Sequence, residues 1–256
     1  MFFIFVRSRK EMIYKIKKEQ FLGDGPIKIL YPGLALPNSV DTGIGSIGRI
    51  DHPEFHGNTV IKMHPHVNDE IVSYFRSGIS EHKDSEGYTE NISKNRLMFM
   101  KAGKSFYHEE KILGKEEPLE GLQIFIRPGK KDLKPEVLFR DLEHVHSENQ
   151  WRLLGAPNGG TEFRFSSRTW LYDTKLLEGS SIDFPQLENE GLTSVLYVFQ
   201  GKITLNDSVP LIKKEAAIIT DELSVIYAET DAELVLFVTD ENSEIFKEGM
   251  YSGNKY

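Results

Sequence analysis

His64 and His66, in Met63-His-Pro-His-Val67, stand two residues apart. On a β-strand that spacing turns both imidazoles to one face. Pro65 then faces outward and, lacking an N–H, asks for an edge or irregular position. Further along, Tyr107-His-Glu-Glu110 repeats the geometry, with His108 and Glu110 sharing a face and Glu109 turned away. Two such pairs on neighbouring strands would converge as three nitrogens and one oxygen. That donor set suits one divalent transition metal, and Fe(II), Ni(II), Mn(II), Zn(II) and Cu(II) all accept it. A single carboxylate would leave about one net positive charge on the ion, which favours an anionic oxygen such as an enolate or a deprotonated aromatic hydroxyl.

The remaining histidines are His52, His56, His82, His144 and His146, and none follows residue 146. His52 and His56, in DHPEFH, read as surface residues, and His82, in EHKDSEG, as a solvated strand or turn residue. His144 and His146 form a second His-x-His within a charged stretch that offers no downstream partner. Glu70 lies six residues after His64 and so keeps its strand parity. It reads as a fifth ligand candidate or, in preference, as a carboxylate accepting from the far nitrogen of an imidazole ligand. Phe99, Phe106, Tyr107 and Phe125 read first as barrel core and second as walls for an aromatic ligand. Lys62, Arg96 and Lys101 are the basic candidates for a sugar-binding interior.

These residues need strands to position them, and strand signals dominate. Segments 70–76 (EIVSYFR), 169–176 (TWLYDTKL), 193–199 (TSVLYVF) and 232–239 (AELVLFVT) are short, β-branched or aromatic, and bounded by Gly, Asn, Asp or Lys. No long period-3.6 pattern appears, and short helical turns are expected only near 132–150. The chain also repeats itself. IVSYFRSGI (71–79) matches VLYVFQGKI in the second half. LMFMKAGKSFYHEE (97–110) matches AAIITDELSVIYAE (216–229), and LEGLQIFI (119–126) matches DAELVLFV (231–238). The expected fold is therefore all-β, with two tandem jelly-roll-like β-barrels. The predicted organisation is a tail or mis-called start at 1–11, a metal-binding half at 12–130, a linker at 131–150 and a second half at 151–256 without ligands. In that second half the positions aligned with the four ligands are Leu187, Asn189, Tyr227 and Glu229.

A chain of 256 residues, 27% charged and 39% apolar, has the composition of a globular protein with a sizeable core. A net charge of −8 argues against direct nucleic-acid binding. No stretch reaches the roughly 18 apolar residues of a membrane span. The absence of cysteine excludes disulfides and thiolate ligands, and fits a cytoplasmic setting.

The run HPHVNDEIVSYFRSGISEHKDSEG, followed by MKAGKSFYHEE and LQIFIRP, resembles the pirin family of the cupin superfamily. His64, Pro65, His66, Glu70, Gly78, His82, Asp84, Ser85, Gly87, Ala102, Gly103, His108 and Glu110 fall on the family pattern. The segment DTGIGSIGRIDHPEFHGN and the turn Lys94-Asn95-Arg96 depart from it, which marks a divergent branch. The resemblance implies a bicupin with one metal, usually iron, in the N-terminal barrel. Two activities are implied. One is a quercetin 2,3-dioxygenase-type oxygenase acting on a small aromatic or enolisable substrate, with Glu110 as ligand and general base. The other is a non-enzymatic transcriptional co-regulator that works through a protein partner.

Overall fold

In the computed structural model, residues 12–186, 191–220 and 224–256 are described. The expected tail at 1–11 and positions Leu187 and Asn189 lie outside them. Apart from short 3-10 turns at Lys18–Gln20 and Pro32–Ala35, the regular elements among the described residues are strands.

The strands make four sheets among the described residues. The first half has a six-stranded sheet, in the order Glu136–Asp141, Arg96–Lys101, Glu70–Ser77, Leu119–Ile126, Ile47–Phe55, Ile27–Leu30. It is faced by a four-stranded sheet, Asn58–His66, Phe106–Leu113, Ser80–Asp84, Thr89–Ile92. The second half copies the plan. Its large sheet runs Met12–Ile16, Ala216–Thr220, Leu192–Gln200, Ala232–Asp240, Thr169–Leu176, Arg152–Ala156, Phe163–Arg164. Its small sheet runs Ser181–Asp183, Val225–Ala228, Lys202–Leu205, Val209–Ile212. The strand-by-strand correspondence carries the internal repeat into three dimensions. Each half is a cupin-like, double-sheet jelly roll whose sheets stay open rather than closing into one hydrogen-bonded barrel.

The turn that carries the chain from large to small sheet is the same in both halves, and it needs glycine. Gly78 has φ +71 and Gly201 has φ +84, and a Cβ would meet Leu119 Cα at 2.6 Å or Asp231 O at 2.1 Å.

The large sheets pack face to face. One cluster joins Ile50, Val72, Phe99, Leu122 and Ile124 of the first half to Val195, Tyr197, Ile218, Val235 and Phe237 of the second. Their other faces pack inside each sandwich, Ile71, Phe75, Met98 and Met100 against Phe106 and Ile112, and Leu196, Val198 and Leu234 against Ile203 and Ile226. The molecule is thus four layers deep, with both large sheets buried on two faces. That is why their strands read as unbroken apolar runs instead of alternating ones. Only the outer small sheets alternate, as in Phe106–Leu113.

Two edge strands are exchanged relative to the sequence reading. Met12–Ile16, expected with the first half, pairs with Ala216–Thr220 of the second. Glu136–Asp141, within the expected linker and its short helical turns, is instead a strand paired with Arg96–Lys101. The two occupy equivalent edge positions, so each large sheet is closed off by chain from beyond its own core strands.

Candidate metal centre

The four residues singled out by spacing lie on adjacent strands of the first half's outer sheet and face its inner sheet. Asn58–His66 and Phe106–Leu113 pair antiparallel, with His64 opposite His108 and Ile61 opposite Glu110. Three steps along one strand match two along the other, so one extra residue is inserted between Ile61 and His64. That bulge re-aims the strand and lets Ile61, His64 and His66 share the inner face.

The three imidazoles converge through their Nε2 atoms. His66 Nε2 lies 2.8 Å and His64 Nε2 3.0 Å from His108 Nε2. His64 Nδ1–H donates to the Lys62 carbonyl at 2.9 Å, which leaves a lone pair on its Nε2. His108 Nδ1 lies 3.2 Å from His82 Nδ1. His66 Nδ1 is buried and finds no hydrogen-bond partner among the described residues. The Asp69 carboxylate stands 3.7 Å from it. Metal–imidazole bonds of about 2.1 Å at right angles place nitrogens about 3.0 Å apart, whereas tetrahedral angles need about 3.4 Å. The two separations from His108 Nε2 are thus those of donors at right angles rather than at tetrahedral angles.

Electrostatics keeps His64 and His108 neutral and available. Burial lowers the His64 imidazole, opposed by the Lys62 carbonyl and assisted by His66. Burial drives His108 far below the usual imidazole range, and His66, His64 and His82 push it in the same direction.

Glu110 sits beside His108 but on the opposite side of the ring from His64 and His66. Its Oε1 is 3.8 Å from His108 Nδ1 and accepts from Gln123 Nε2 at 3.1 Å. It clusters with His82 and His108, apart from the three converging Nε2 atoms. Burial raises its carboxyl to about 7, with Gln123 working against the rise. Beyond it lies a cavity of about 10 Å³ lined by Asp51, Phe55, Ile61, Phe75, Glu110 and Gln123, room for about one water.

Several expectations are corrected. His82 is fully buried, not solvated, and its Nε2 lies 2.8 Å from Asp84 Oδ2. His52 is also buried and spans the halves, bonded to Tyr197 Oη at 2.7 Å and Glu120 Oε1 at 2.8 Å. His56 is exposed, as expected. Glu70 accepts from no imidazole; both its carboxylate oxygens lie 3.1 Å from the Ser166 backbone N–H. The acid near His66 is its neighbour, Asp69. Lys101 and Arg96 pair outward with Glu136 and with Glu90 and Asp141, and Lys62 is exposed. A largely buried cation near the cluster is Arg49, ion-paired to Asp51 and 5.2 Å from the Phe125 ring. Phe99 belongs to the core between the halves and Tyr107 is exposed, while Phe125 lies 6.2 Å from the His66 ring. His144 and His146 line a separate open cleft of about 720 Å³.

Sequence reasoning also missed the far end of the chain. Tyr251 packs 4.9 Å from His66, and Asp69 accepts from Ser252 N at 2.8 Å and Ser252 Oγ at 2.7 Å. Nothing local in Tyr251-Ser-Gly-Asn254 signals this contact.

Residues 47–126, which hold the whole cluster, match the family model described as Pirin. A quercetin 2,3-dioxygenase of Escherichia coli O157:H7 is 28% identical over 174 residues, 68% of this chain and 74% of that protein. A putative quercetin 2,3-dioxygenase of Zymomonas mobilis is 28% identical over 185 residues, 71% and 77%. Among solved structures, the bacterial pirin YhhW from Escherichia coli in complex with nickel(II) superposes with TM-score 0.76. It has 24% identity and covers 90% of this chain and 99% of its own. That likeness, like a TM-score of 0.71 at 19% identity to a quercetin 2,3-dioxygenase of Acinetobacter baumannii covering 90% and 86%, speaks to the fold. The chain thus carries a Pirin-model region over residues 47–126 and is similar, at 28% identity, to bacterial quercetin 2,3-dioxygenases.

Proposed function

We propose that His64, His66 and His108 hold one divalent transition metal, that Glu110, which stands on the far side of the His108 ring, adds its carboxylate by turning towards the three Nε2 atoms, and that the site serves a quercetin 2,3-dioxygenase-type oxygenation of a small aromatic, enolisable substrate. The observation that carries the reading is the convergence of three Nε2 atoms at 2.8 and 3.0 Å. Iron(II) is the first assignment, with nickel, manganese, zinc and copper as the alternatives the donor set accepts. The bound ion would supply a Lewis-acidic position that lowers the pKa of a substrate hydroxyl. The chain's own part is proton handling and orientation. Glu110, with its carboxyl raised to about 7, is matched to accept a hydroxyl proton near neutral pH. Phe125 and Tyr251 form an aromatic wall beside His66.

A second reading draws on the cavity beside Glu110, which at about 10 Å³ holds no flavonol. In that reading the metal sets the shape of the surrounding surface for a protein partner, without turnover. Metal content and oxygen uptake on a flavonol panel separate the two, using protein purified without a nickel column. About one metal per chain, lost in His64→Ala/His108→Ala and accompanied by oxygen uptake, is expected. Metal without uptake favours the partner-binding reading. No metal in wild type after reconstitution with Fe(II), Ni(II) and Mn(II) sinks both.

A further inference from the structure

A hydrogen-bonded run of buried groups stands behind His108. Asp84 Oδ1 accepts the backbone N–H groups of Glu86 at 2.9 Å and Tyr88 at 3.0 Å. Its Oδ2 lies 2.8 Å from His82 Nε2. An ionised carboxylate only accepts, so His82 Nε2 must carry the proton and His82 Nδ1 the lone pair. That lone pair faces His108 Nδ1 at 3.2 Å, which places a proton on His108 Nδ1 and a lone pair on His108 Nε2, towards His64 and His66. Each step has one polarity, set at the far end by two backbone donors.

The second half is an internal control. Ser80–Asp84 pairs with Phe106–Leu113 so that His82 faces Glu110 and Asp84 faces His108. Counted from the shared glycine turn, Ile203 stands opposite Ala228 there as Ser80 stands opposite Ile112 here, and Leu205 opposite Ile226 as His82 stands opposite Glu110. In the half that carries no histidine, an aliphatic pair thus replaces buried His82 and Glu110. The buried histidine behind the cluster and the converging imidazoles occur together in one copy of the fold, and the other has neither.

We propose that Asp84 and His82 are positioning residues that fix the tautomer of His108 and so direct its Nε2 lone pair at the metal. The inference rests on the metal-site reading given above. An outer partner of this kind is worth roughly 10- to 100-fold in metal affinity.

Asp84→Asn tests it without changing shape. The Asn oxygen stays where the Glu86 and Tyr88 N–H groups point, so its amide turns N–H towards His82 Nε2. The run then reverses, and His108 presents N–H instead of a lone pair to the cluster. Co(II) and Ni(II) affinities are measured by chelator competition, with the Co(II) absorption spectrum and thermal unfolding, for wild type, Asp84→Asn, His82→Phe and the double variant. We expect Asp84→Asn to bind about 10- to 100-fold more weakly with an altered Co(II) spectrum and near-wild-type unfolding. In the His82→Phe background the same change should have no further effect, because the run is already cut. Wild-type affinity in Asp84→Asn, or an equal loss in both backgrounds, overturns the proposal. Should Asp84→Asn not fold, His82→Phe alone decides, and wild-type affinity there is refuting. A wild type that binds neither ion refutes the metal reading itself, a result distinct from any of these.

Discussion

Raising the pH should cost the folded chain stability through Glu70, and Glu70→Gln should remove that cost. The Glu70 carboxyl is fully buried between the halves and meets one backbone donor, the Ser166 N–H. Burial raises it from 4.5 to about 7, although Lys101 and Ser166 pull the other way. The folded chain therefore holds this proton more tightly than the unfolded chain. The stabilisation is complete below about pH 4.5 and is lost as the pH climbs towards about 7. Linkage between those two values gives a change of about 2.5 kcal/mol from pH ~5 to pH ~8. A glutamine side chain in its place has no proton to lose and can still accept from Ser166. Urea unfolding of both proteins at the two pH values reads the effect as a difference, in which Glu110 and every other shared group cancels. Wild type should lose about 2.5 kcal/mol relative to Glu70→Gln. A difference that stays flat with pH would show that the site admits enough water to keep the carboxyl ordinary, and would refute the burial argument.

Gly48→Ala should unseat the C-terminal segment, because a Cβ there would lie 2.1 Å from the Ser252 carbonyl oxygen. Faster proteolytic trimming of the C-terminus is the readout, and unchanged trimming would mean the segment is not docked on this strand. Arg127→Met should cost roughly 3–5 kcal/mol in urea unfolding, since the buried guanidinium bonds Ser252 O at 2.9 Å and Gly45 O at 3.1 Å and pairs with Asp41. A cost below about 1 kcal/mol would place Arg127 with weak surface pairs instead.

Strand parity made the histidine convergence legible, because a two-residue spacing survives folding wherever the strand stays regular. Parity failed where the backbone resets it. Asn68 adopts φ 54 between His66 and Glu70. Counting through that residue put Glu70 on the imidazole face, when the carboxylate beside His66 belongs to Asp69. The same one-residue slip affects the second half. Tyr227 is exposed, and the inner-face residues are Ile226 and Ala228. Polarity misled at Ser80–Asp84, whose inward residues are Ser80, His82 and Asp84. A buried face built of polar residues looks solvated in sequence, and only the pairing partner across the sheet reveals it. The exchanged edge strands had no local signal either, since Met12 meets Thr220.

The division of labour between the halves follows from where polarity is tolerable. Both large sheets pack mostly apolar side chains on both faces, and an unpaired polar group there would cost about 1–3 kcal/mol. The gap between outer and inner sheet is mainly apolar in the second half. In the first half it holds histidines and carboxylates, most of them bonded: Asp84 by two backbone donors and His82, Asp69 by Ser252, Glu110 by Gln123. Among the described residues the buried side-chain atoms without a partner are His66 Nδ1, Ser73 Oγ and Ser80 Oγ, and beside His66 Nδ1 the three Nε2 atoms crowd together. A fold that bonds the charged groups around a site and leaves three nitrogen lone pairs crowded at its centre has concentrated the free energy of cation binding there. Metal should therefore stabilise this half more than its duplicate, and aliphatic substitution at His108 should keep the fold while removing that response.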